Sequence, residues 1–174
     1  MNRISFFNIS LSFLTSSDYE SSKPNWITIG DGTKEVTLFD ILIENQVNSL
    51  VSLGGETLDL LHIRNMEIRN STFADSLLIY GNSIVKVILD NVTISNCTFT
   101  NSSALYFFQV NSLIISNLSF LGNTLLNYNS TLLTIIDSNS TVISTLTVSK
   151  NECVLEEQAT TLLTVTNYKK MFLI

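Results

Sequence analysis

Apolar and polar residues alternate with a period of two along most of this chain, and the alternation changes phase at regular points. Leu61 and Ile63 come four and two residues before Asn65, whereas Met66 and Ile68 come one and three residues after it. The alternation predicts β-strands. If every apolar residue faces the core, the phase change requires a bend at the central residue. Asn tolerates the left-handed backbone conformation that such a bend needs.

This frame recurs at seven central positions along the chain. They are Asn8, Asp40, Asn65, Asn91, Asn117, Thr145 and Asn167, separated by 32, 25, 26, 26, 28 and 22 residues. A second apolar series lies between them, with Leu50, Leu77, Leu105, Leu132 and Leu162 separated by 27, 28, 27 and 30 residues. Two series that advance with one period indicate a solenoid of stacked repeats.

The order strand, Asn bend, strand, turn, strand predicts one coil of a three-sided parallel β-helix. We therefore predict an all-β fold: a single right-handed parallel β-helix, a solenoid of about six to seven coils, in which residues 1–174 form one domain. Equivalent residues of neighbouring coils would lie about 4.8 Å apart, so the seven central positions would form an Asn ladder. The alternative fold is a leucine-rich repeat, which has a similar period and its own Asn column but requires a helical or 3₁₀ return segment.

The composition favours strands and excludes some partners. Charged residues make up 14% of the chain, against about 25% in an ordinary soluble domain. They are replaced by 23 Ser, 19 Thr and 19 Asn, which are poor in helix interiors. A net charge of −6 argues against a nucleic-acid partner, and no apolar run approaches the roughly 20 residues that span a bilayer. Residues 1–14 have some features of a signal peptide, but they also fit the repeat.

Two short phrases of the sequence resemble a known family of β-helices. They are Ile94-Ser-Asn-Cys-Thr-Phe99-Thr-Asn101 and Phe120-Leu-Gly-Asn123. Together with the ladder bend, they are similar to the degenerate units of pectin-lyase-like right-handed parallel β-helices, including large surface proteins of ciliates and polymorphic outer-membrane-like repeats. The resemblance covers about residues 36–170. Its motifs imply β-helix coils and do not imply a catalytic site. The Gly-Gly-Ala-Ile half of the bacterial repeat is missing.

Residues that would support catalysis are dispersed. The aspartates considered are Asp31, Asp59, Asp75, Asp90 and Asp137, and the paired carboxylates of the enzymes in the resembling family are not visible among them. The single histidine, His62, points outward by the alternation and has no metal-ligand partners at workable spacing. We therefore predict no enzyme activity, no catalytic, cofactor-binding or metal-binding residues, and no cofactor.

Eight Asn-x-Ser/Thr sequons occur in the chain, at Asn8, Asn70, Asn91, Asn96, Asn101, Asn117, Asn129 and Asn139. If the chain is secreted by a eukaryote, sequons in turns are the acceptors. We predict N-linked glycans at Asn101, Asn129 and Asn139 first, and then at Asn70 and Asn96. Asn8, Asn91 and Asn117 are ladder positions, where a glycan would not fit.

The two cysteines, Cys97 and Cys153, should stay unpaired. Their positions relative to the repeat place them two coils apart, which is about 9.6 Å along the axis. A disulfide tolerates at most about 7 Å between Cα atoms.

The apolar finish from Lys169 to Ile174 carries no capping segment, which suggests a fragment of a longer chain or a subunit of a head-to-tail filament. We predict a structural or adhesive rod, extracellular or on the cell surface. Its partners would be other copies, or neighbouring coils of a parent protein, together with N-linked glycans, and not nucleic acid. The first alternative is a glycan-binding or glycan-processing β-helix, with Trp26 and Tyr106 as candidate stacking residues and Phe107 in the core. The second is a leucine-rich-repeat interaction module.

Overall fold

The computed structural model describes residues 3–12, 33–46, 58–127, 129–154, 162–166 and 169–173. These residues form fifteen strands, numbered in chain order. The first eight are β1 (Arg3–Ser12), β2 (Glu35–Glu44), β3 (Leu60–Arg69), β4 (Thr72–Ala74), β5 (Leu77–Asn82), β6 (Lys86–Ser95), β7 (Thr98–Thr100) and β8 (Ser103–Phe108). The others are β9 (Ser112–Leu121), β10 (Thr124–Leu126), β11 (Thr131–Ile136), β12 (Ser140–Ser149), β13 (Glu152–Val154), β14 (Leu163–Thr166) and β15 (Met171–Leu173).

The strands build three parallel sheets that run along one axis. The first sheet has the order β1-β2-β3-β6-β9-β12-β15, the second β13-β10-β7-β4 and the third β14-β11-β8-β5. One complete coil therefore contributes a long, a short and a medium strand in succession. The result is an all-β parallel solenoid of about five turns, fewer than the six to seven coils expected.

The return segments decide between the two predicted folds. They are the strands Thr72–Ala74 and Leu77–Asn82 in one coil, and Thr98–Thr100 and Ser103–Phe108 in the next. A leucine-rich repeat would place a helix or a 3₁₀ segment there. The solenoid prediction is confirmed and the leucine-rich-repeat alternative is wrong.

The register of the first sheet aligns six of the seven predicted central positions. The pairs on either side of the bend, such as Arg64 with Asp90 and Met66 with Val92, place Asn65 beside Asn91. The aligned residues are Asn8, Asp40, Asn65, Asn91, Asn117 and Thr145. The last five have φ angles of 52° to 58°, the left-handed conformation that the phase change required.

The seventh central position was assigned to the wrong sheet. Leu163 pairs with Leu133, and Val165 pairs with Ile135, in the third sheet. The first-sheet strand that follows β12 is β15, in which Met171 pairs with Thr141. Leu163 fits both apolar series, so the sequence alone could not separate them. Asn167 itself lies outside the described residues.

The core is made of apolar columns that run along the axis. In β6, Val87, Leu89, Val92 and Ile94 are completely buried, and their register partners in β3 and β9 are buried too. In the second sheet the rings of Phe73 and Phe99 stack with centroids 5.3 Å apart. Burying apolar surface in this way supplies about 25 cal/mol per Å², which makes the core the main stabilising feature of the fold. Phe107 is buried, as predicted.

Each coil turns at four left-handed corners, of which the sequence indicated one. The second corner follows the long strand at Asn45, Asn70, Asn96, Gly122 and Lys150; the third follows the short strand at Asp75, Asn101 and Asn127; the fourth follows the medium strand at Ser83, Gln109 and Asp137. Asn and Asp dominate because they tolerate positive φ better than other residues with a side chain.

Gly122 is the one glycine in this set, and replacing it tests the second corner. Its φ is 63°, and an added Cβ would lie 2.8 Å from Oδ1 of Asn96. We expect Gly122→Ala to lower the free energy of unfolding by about 1–2 kcal/mol, the usual cost of a left-handed residue with a Cβ. Gly122→Asn, which restores the residue type of Asn70 and Asn96, should cost less in the same urea titration. Equal losses would show that the φ angle is not the cause.

Candidate functional surfaces

An amide ladder on the outer surface joins successive coils at the first corner. Nδ2 of Asn65 donates to Oδ1 of Asp40 at 2.8 Å, and Nδ2 of Asn91 donates to Oδ1 of Asn65 at 3.0 Å. Asn117 and Thr145 continue the column with the same backbone conformation. The side chains are exposed, so the ladder lies outside the core.

Two further outer ladders were not predicted from the sequence. At the third corner, Asn101 donates to Asp75 and Asn127 donates to Asn101, both at 3.1 Å. Directly before β9 and β12, Nδ2 of Asn139 donates to Oδ1 of Asn111 at 2.7 Å. The 26-residue spacing of Asp75, Asn101 and Asn127 was a usable signal. Asn101 and Asn139 were expected to be free turn residues, and the structure places both of them in ladders.

A polar column also lies inside the solenoid, directly after the second corner. Its members in order along the axis are Gln46, Ser71, Cys97, Asn123 and Asn151. Oδ1 of Asn123 accepts from the backbone N–H of Cys97 at 3.0 Å, and its Nδ2 donates to the carbonyl of Ile94 at 2.9 Å. Oγ of Ser71 accepts from the N–H of Gln46 at 3.0 Å. These side chains satisfy backbone groups where the chain turns and the sheet ladder is interrupted.

The two thiols occupy different environments, and both are unpaired, as predicted. Cys97 is buried in the inner column, with Sγ 3.2 Å from the carbonyl of Ser95. Burial raises the pKa of the Cys97 thiol to about 11. Cys153 is exposed and, through Leu125, lies in register with Phe99 two coils away.

Thiol labelling should therefore separate the two cysteines. The thiolate is the reactive form, and in the folded protein Cys97 is both buried and mostly protonated near neutral pH. We expect iodoacetamide to modify Cys153 readily and Cys97 only after urea unfolds the chain, as measured by peptide mass spectrometry. Equal labelling of both thiols without urea would contradict the position of Cys97.

Charged residues cluster on the outer face of β2, β3 and β6. Nε of Arg69 lies 3.0 Å from a Glu44 oxygen, and its Nη1 lies 3.1 Å from a Glu67 oxygen. The hydrogen bond and charge of Glu44, followed by the charge of Glu67, raise the pKa of Arg69. Arg64 pairs with Asp90 at 3.4 Å. The cluster is best explained as cross-coil ion pairing.

His62 lies on this same outer face, as the alternation predicted, but it is half-buried. Its ring meets that of Phe39 edge to face, with centroids 5.0 Å apart. Burial lowers its pKa, and the nearby charges of Arg64 and Lys86 act in the same direction, while Asp90 opposes them. Among the described residues, no group of three His, Cys, Asp or Glu side chains is arranged to hold a metal ion.

A pair of tyrosines forms the largest aromatic feature on the outer face of the third sheet. Tyr80 and Tyr106 are register partners, and their ring centroids are 5.8 Å apart with planes tilted by 32°. Phe108 lies two residues beyond Tyr106 on the same face. Ser83 and Gln109 form a hydrogen bond of 3.3 Å at the adjoining corner. Trp26, the other candidate for stacking on a sugar, lies outside the described residues.

The C-terminal edges of the three sheets expose apolar side chains. Strands β13, β14 and β15 each pair on one side only among the described strands. Val154 is 54% exposed, Phe172 53% and Leu173 71%. Exposed backbone at a strand edge is a template for further pairing, and here it is accompanied by apolar side chains.

Fold and surfaces together define a parallel β-solenoid whose coils are joined by polar ladders both outside and inside. No protein-family model matches the chain, and neither a curated protein nor a solved structure matches it. The described part of the chain contains no helix that is long and apolar enough to cross a membrane.

Proposed function

We propose that this chain is a structural or adhesive rod element of a secreted or cell-surface protein, without catalytic activity. The observation that carries the proposal is the coincidence of continuous coil-to-coil stacking with an apolar edge at β13 to β15, where no further described strand pairs. Each coil adds about 4.8 Å of length and repeats the same ladders, so the architecture extends in one direction. Such an element transmits force or sets a distance.

The partner of that edge is another solenoid edge: a second copy of the chain or further coils of a parent protein. Strands added to β13, β14 and β15 would pair with the backbone N–H and C=O groups that no other described strand engages. They would also cover Phe172 and Leu173. Contacts that join the end of one copy to the beginning of the next do not close on themselves and therefore generate filaments.

The sequence resemblance supports a location outside the cell. The phrases around Ile94–Asn101 and Phe120–Asn123 are similar to units of pectin-lyase-like surface β-helices. The eight sequons are consistent with a secreted glycoprotein. Within this proposal, adhesion would use the long outer faces and assembly would use the ends.

Electron microscopy and analytical ultracentrifugation of the purified chain test the assembly. We expect linear particles whose length grows with concentration. Phe172→Glu combined with Leu173→Lys should return the chain to monomers, because charges at the edge would have to be desolvated on stacking. Leu121→Glu, on the lateral surface, is the matched control and should leave the filaments intact. Monomers at every concentration would contradict self-assembly and favour the parent-protein form of the proposal.

The tyrosine pair favours glycan binding as a second candidate function. Aromatic rings stack on the apolar faces of ligands, and nearby amides orient them. Affinity electrophoresis in gels that contain soluble cellulose or chitin derivatives would test it. If glycan binding occurs there, Tyr80→Ala and Tyr106→Ala should each abolish the retardation, and Val85→Ala should not. Retardation that is unchanged in both tyrosine variants would exclude this surface.

A further inference from the structure

The structure sorts the sequons by what each side-chain amide does. An N-linked glycan is attached by replacing one hydrogen of the Asn Nδ2 atom. An amide that already holds a neighbouring coil is thus a poor acceptor in the folded chain. A free, outward-facing amide is compatible with the attachment.

Three sequon amides hold neighbouring coils. Nδ2 of Asn91 donates to Asn65 at 3.0 Å, that of Asn101 to Asp75 at 3.1 Å, and that of Asn139 to Asn111 at 2.7 Å. The adjoining coil in each ladder is only about 4.8 Å away. A sugar on any of these nitrogens would compete with the ladder bond and crowd the adjoining rung.

Asn70 and Asn96 are different, although they also lie at a left-handed corner. Both side chains are exposed. No hydrogen bond joins the side-chain amide of Asn70 or of Asn96 to another described residue. The residues that follow them, Ser71 and Cys97, are buried in the inner column. The chain therefore turns inward immediately after each Asn. Beside Asn96 the next rung is Gly122, and Oδ1 of Asn96 lies over the position that a Cβ of residue 122 would take.

Asn129 is a further sequon with an unengaged side chain. Asn117 also shows no side-chain hydrogen bond to another described residue, but it lies in the first-corner column between Asn91 and Thr145. Asn129 is exposed in the turn between β10 and β11, and no side-chain hydrogen bond joins it to the rest of the described chain. The next residue, Ser130, is buried and donates to the carbonyl of Leu126 at 2.6 Å. Asn91 and Asn101 also precede buried residues, so the unengaged side-chain amide is what distinguishes Asn129, Asn70 and Asn96 from them.

We propose that Asn70, Asn96 and Asn129 carry N-linked glycans and that Asn91, Asn101 and Asn139 do not. This inference rests on the secretory location in the proposed function. It changes the expectation from sequence, which ranked Asn101 and Asn139 above Asn70 and Asn96. Two of the glycans would emerge from successive rungs of the second corner and would cover that edge of the rod.

The test is site mapping on the full chain, expressed behind a secretion signal in cultured animal cells. Peptide N-glycosidase in heavy-oxygen water converts each glycosylated Asn to labelled Asp, which mass spectrometry locates. We expect label at Asn70, Asn96 and Asn129. Label at Asn91, Asn101 or Asn139 in secreted protein, or no label at the three proposed sites, would overturn the proposal.

A triple variant, Asn70→Asp with Asn96→Asp and Asn129→Asp, gives a second readout. Asp40, Asp75 and Asp137 already occupy left-handed corners in this chain, so Asp should be tolerated at Asn70 and Asn96. We expect secretion with no change of gel mobility on glycosidase treatment, and a remaining mobility change would overturn the site assignment. Because the added signal directs the chain outward, these results concern the sites alone. Native protein that lacks glycans would count against the proposed location instead.

Discussion

Phe99→Ala should lower the free energy of unfolding by about 3–5 kcal/mol, the range measured for large-to-small changes at buried aromatic positions. Phe99 is completely buried, and its ring stacks on Phe73 at 5.3 Å. Its register partner in the next coil is Leu125, also buried. Truncation therefore opens a cavity between two coils of a narrow core, where the neighbouring strands are fixed by the ladder and cannot collapse.

Urea unfolding followed by circular dichroism measures this loss. Phe108→Ala is the matched control, since Phe108 lies half-buried on the outer face of the third sheet. Removing its ring should cost only about 1 kcal/mol, because less apolar area returns to water. Comparable losses for Phe99 and Phe108 would mean that the interior assignment of the second sheet is wrong.

Asn123→Ala should be the most damaging polar substitution, lowering the free energy of unfolding by about 3 kcal/mol. Asn123 is completely buried. Without its side chain, the N–H of Cys97 and the carbonyl of Ile94 lose their partners inside the solenoid. Each unsatisfied buried group costs about 1–3 kcal/mol, and the Asn123 contact with Asn151, at 2.9 Å, is also lost.

Two further substitutions at Asn123 separate hydrogen bonding from volume. Asn123→Ser should recover part of the loss, because Ser71 occupies the same column and accepts from the N–H of Gln46. Asn123→Leu keeps the branching at Cγ and the number of heavy atoms but not the polar atoms, and should remain strongly destabilised. A Leu variant as stable as the wild type in urea would refute the role of the inner column.

The first sheet was predictable because its sequence pattern combines two constraints, the two-residue alternation of apolar residues and the change of phase at the central residue. Apolar residues at positions −4, −2, +1 and +3 around Asn65, Asn91 and Asn117 leave only a strand with a left-handed break between them. The register reproduces this alignment residue by residue. Few other structures are compatible with an alternation that changes phase. The first sheet could therefore be predicted although the repeats are degenerate.

The inner column was not predicted because its members share a position after the second corner and not a residue type. Ser71, Cys97 and Asn123 differ in size and polarity, yet each lies buried at the same turn. The last coil was misassigned for a different reason, since Leu163 and Val165 satisfy both apolar frames and only pairing with β11 separates them. The outer ladder at Asn101 was overlooked because the strands that precede it are three residues long, too short to show alternation.

The central claim is that each sequence repeat adds one coil, so that equivalent outward-facing residues of successive repeats lie one coil spacing apart. Distances between spin labels measure this spacing directly. Leu42, Glu67, Thr93, Ser119 and Thr147 are successive register partners on the first sheet. Nitroxides would be attached at Leu42→Cys with Ser119→Cys, and at Leu42→Cys with Thr147→Cys, with Cys97 and Cys153 replaced by Ser. The solenoid predicts separations of about 14 Å and about 19 Å, a difference of one coil spacing. Equal separations, or distances unrelated to the number of intervening coils, would contradict the fold and every surface derived from it.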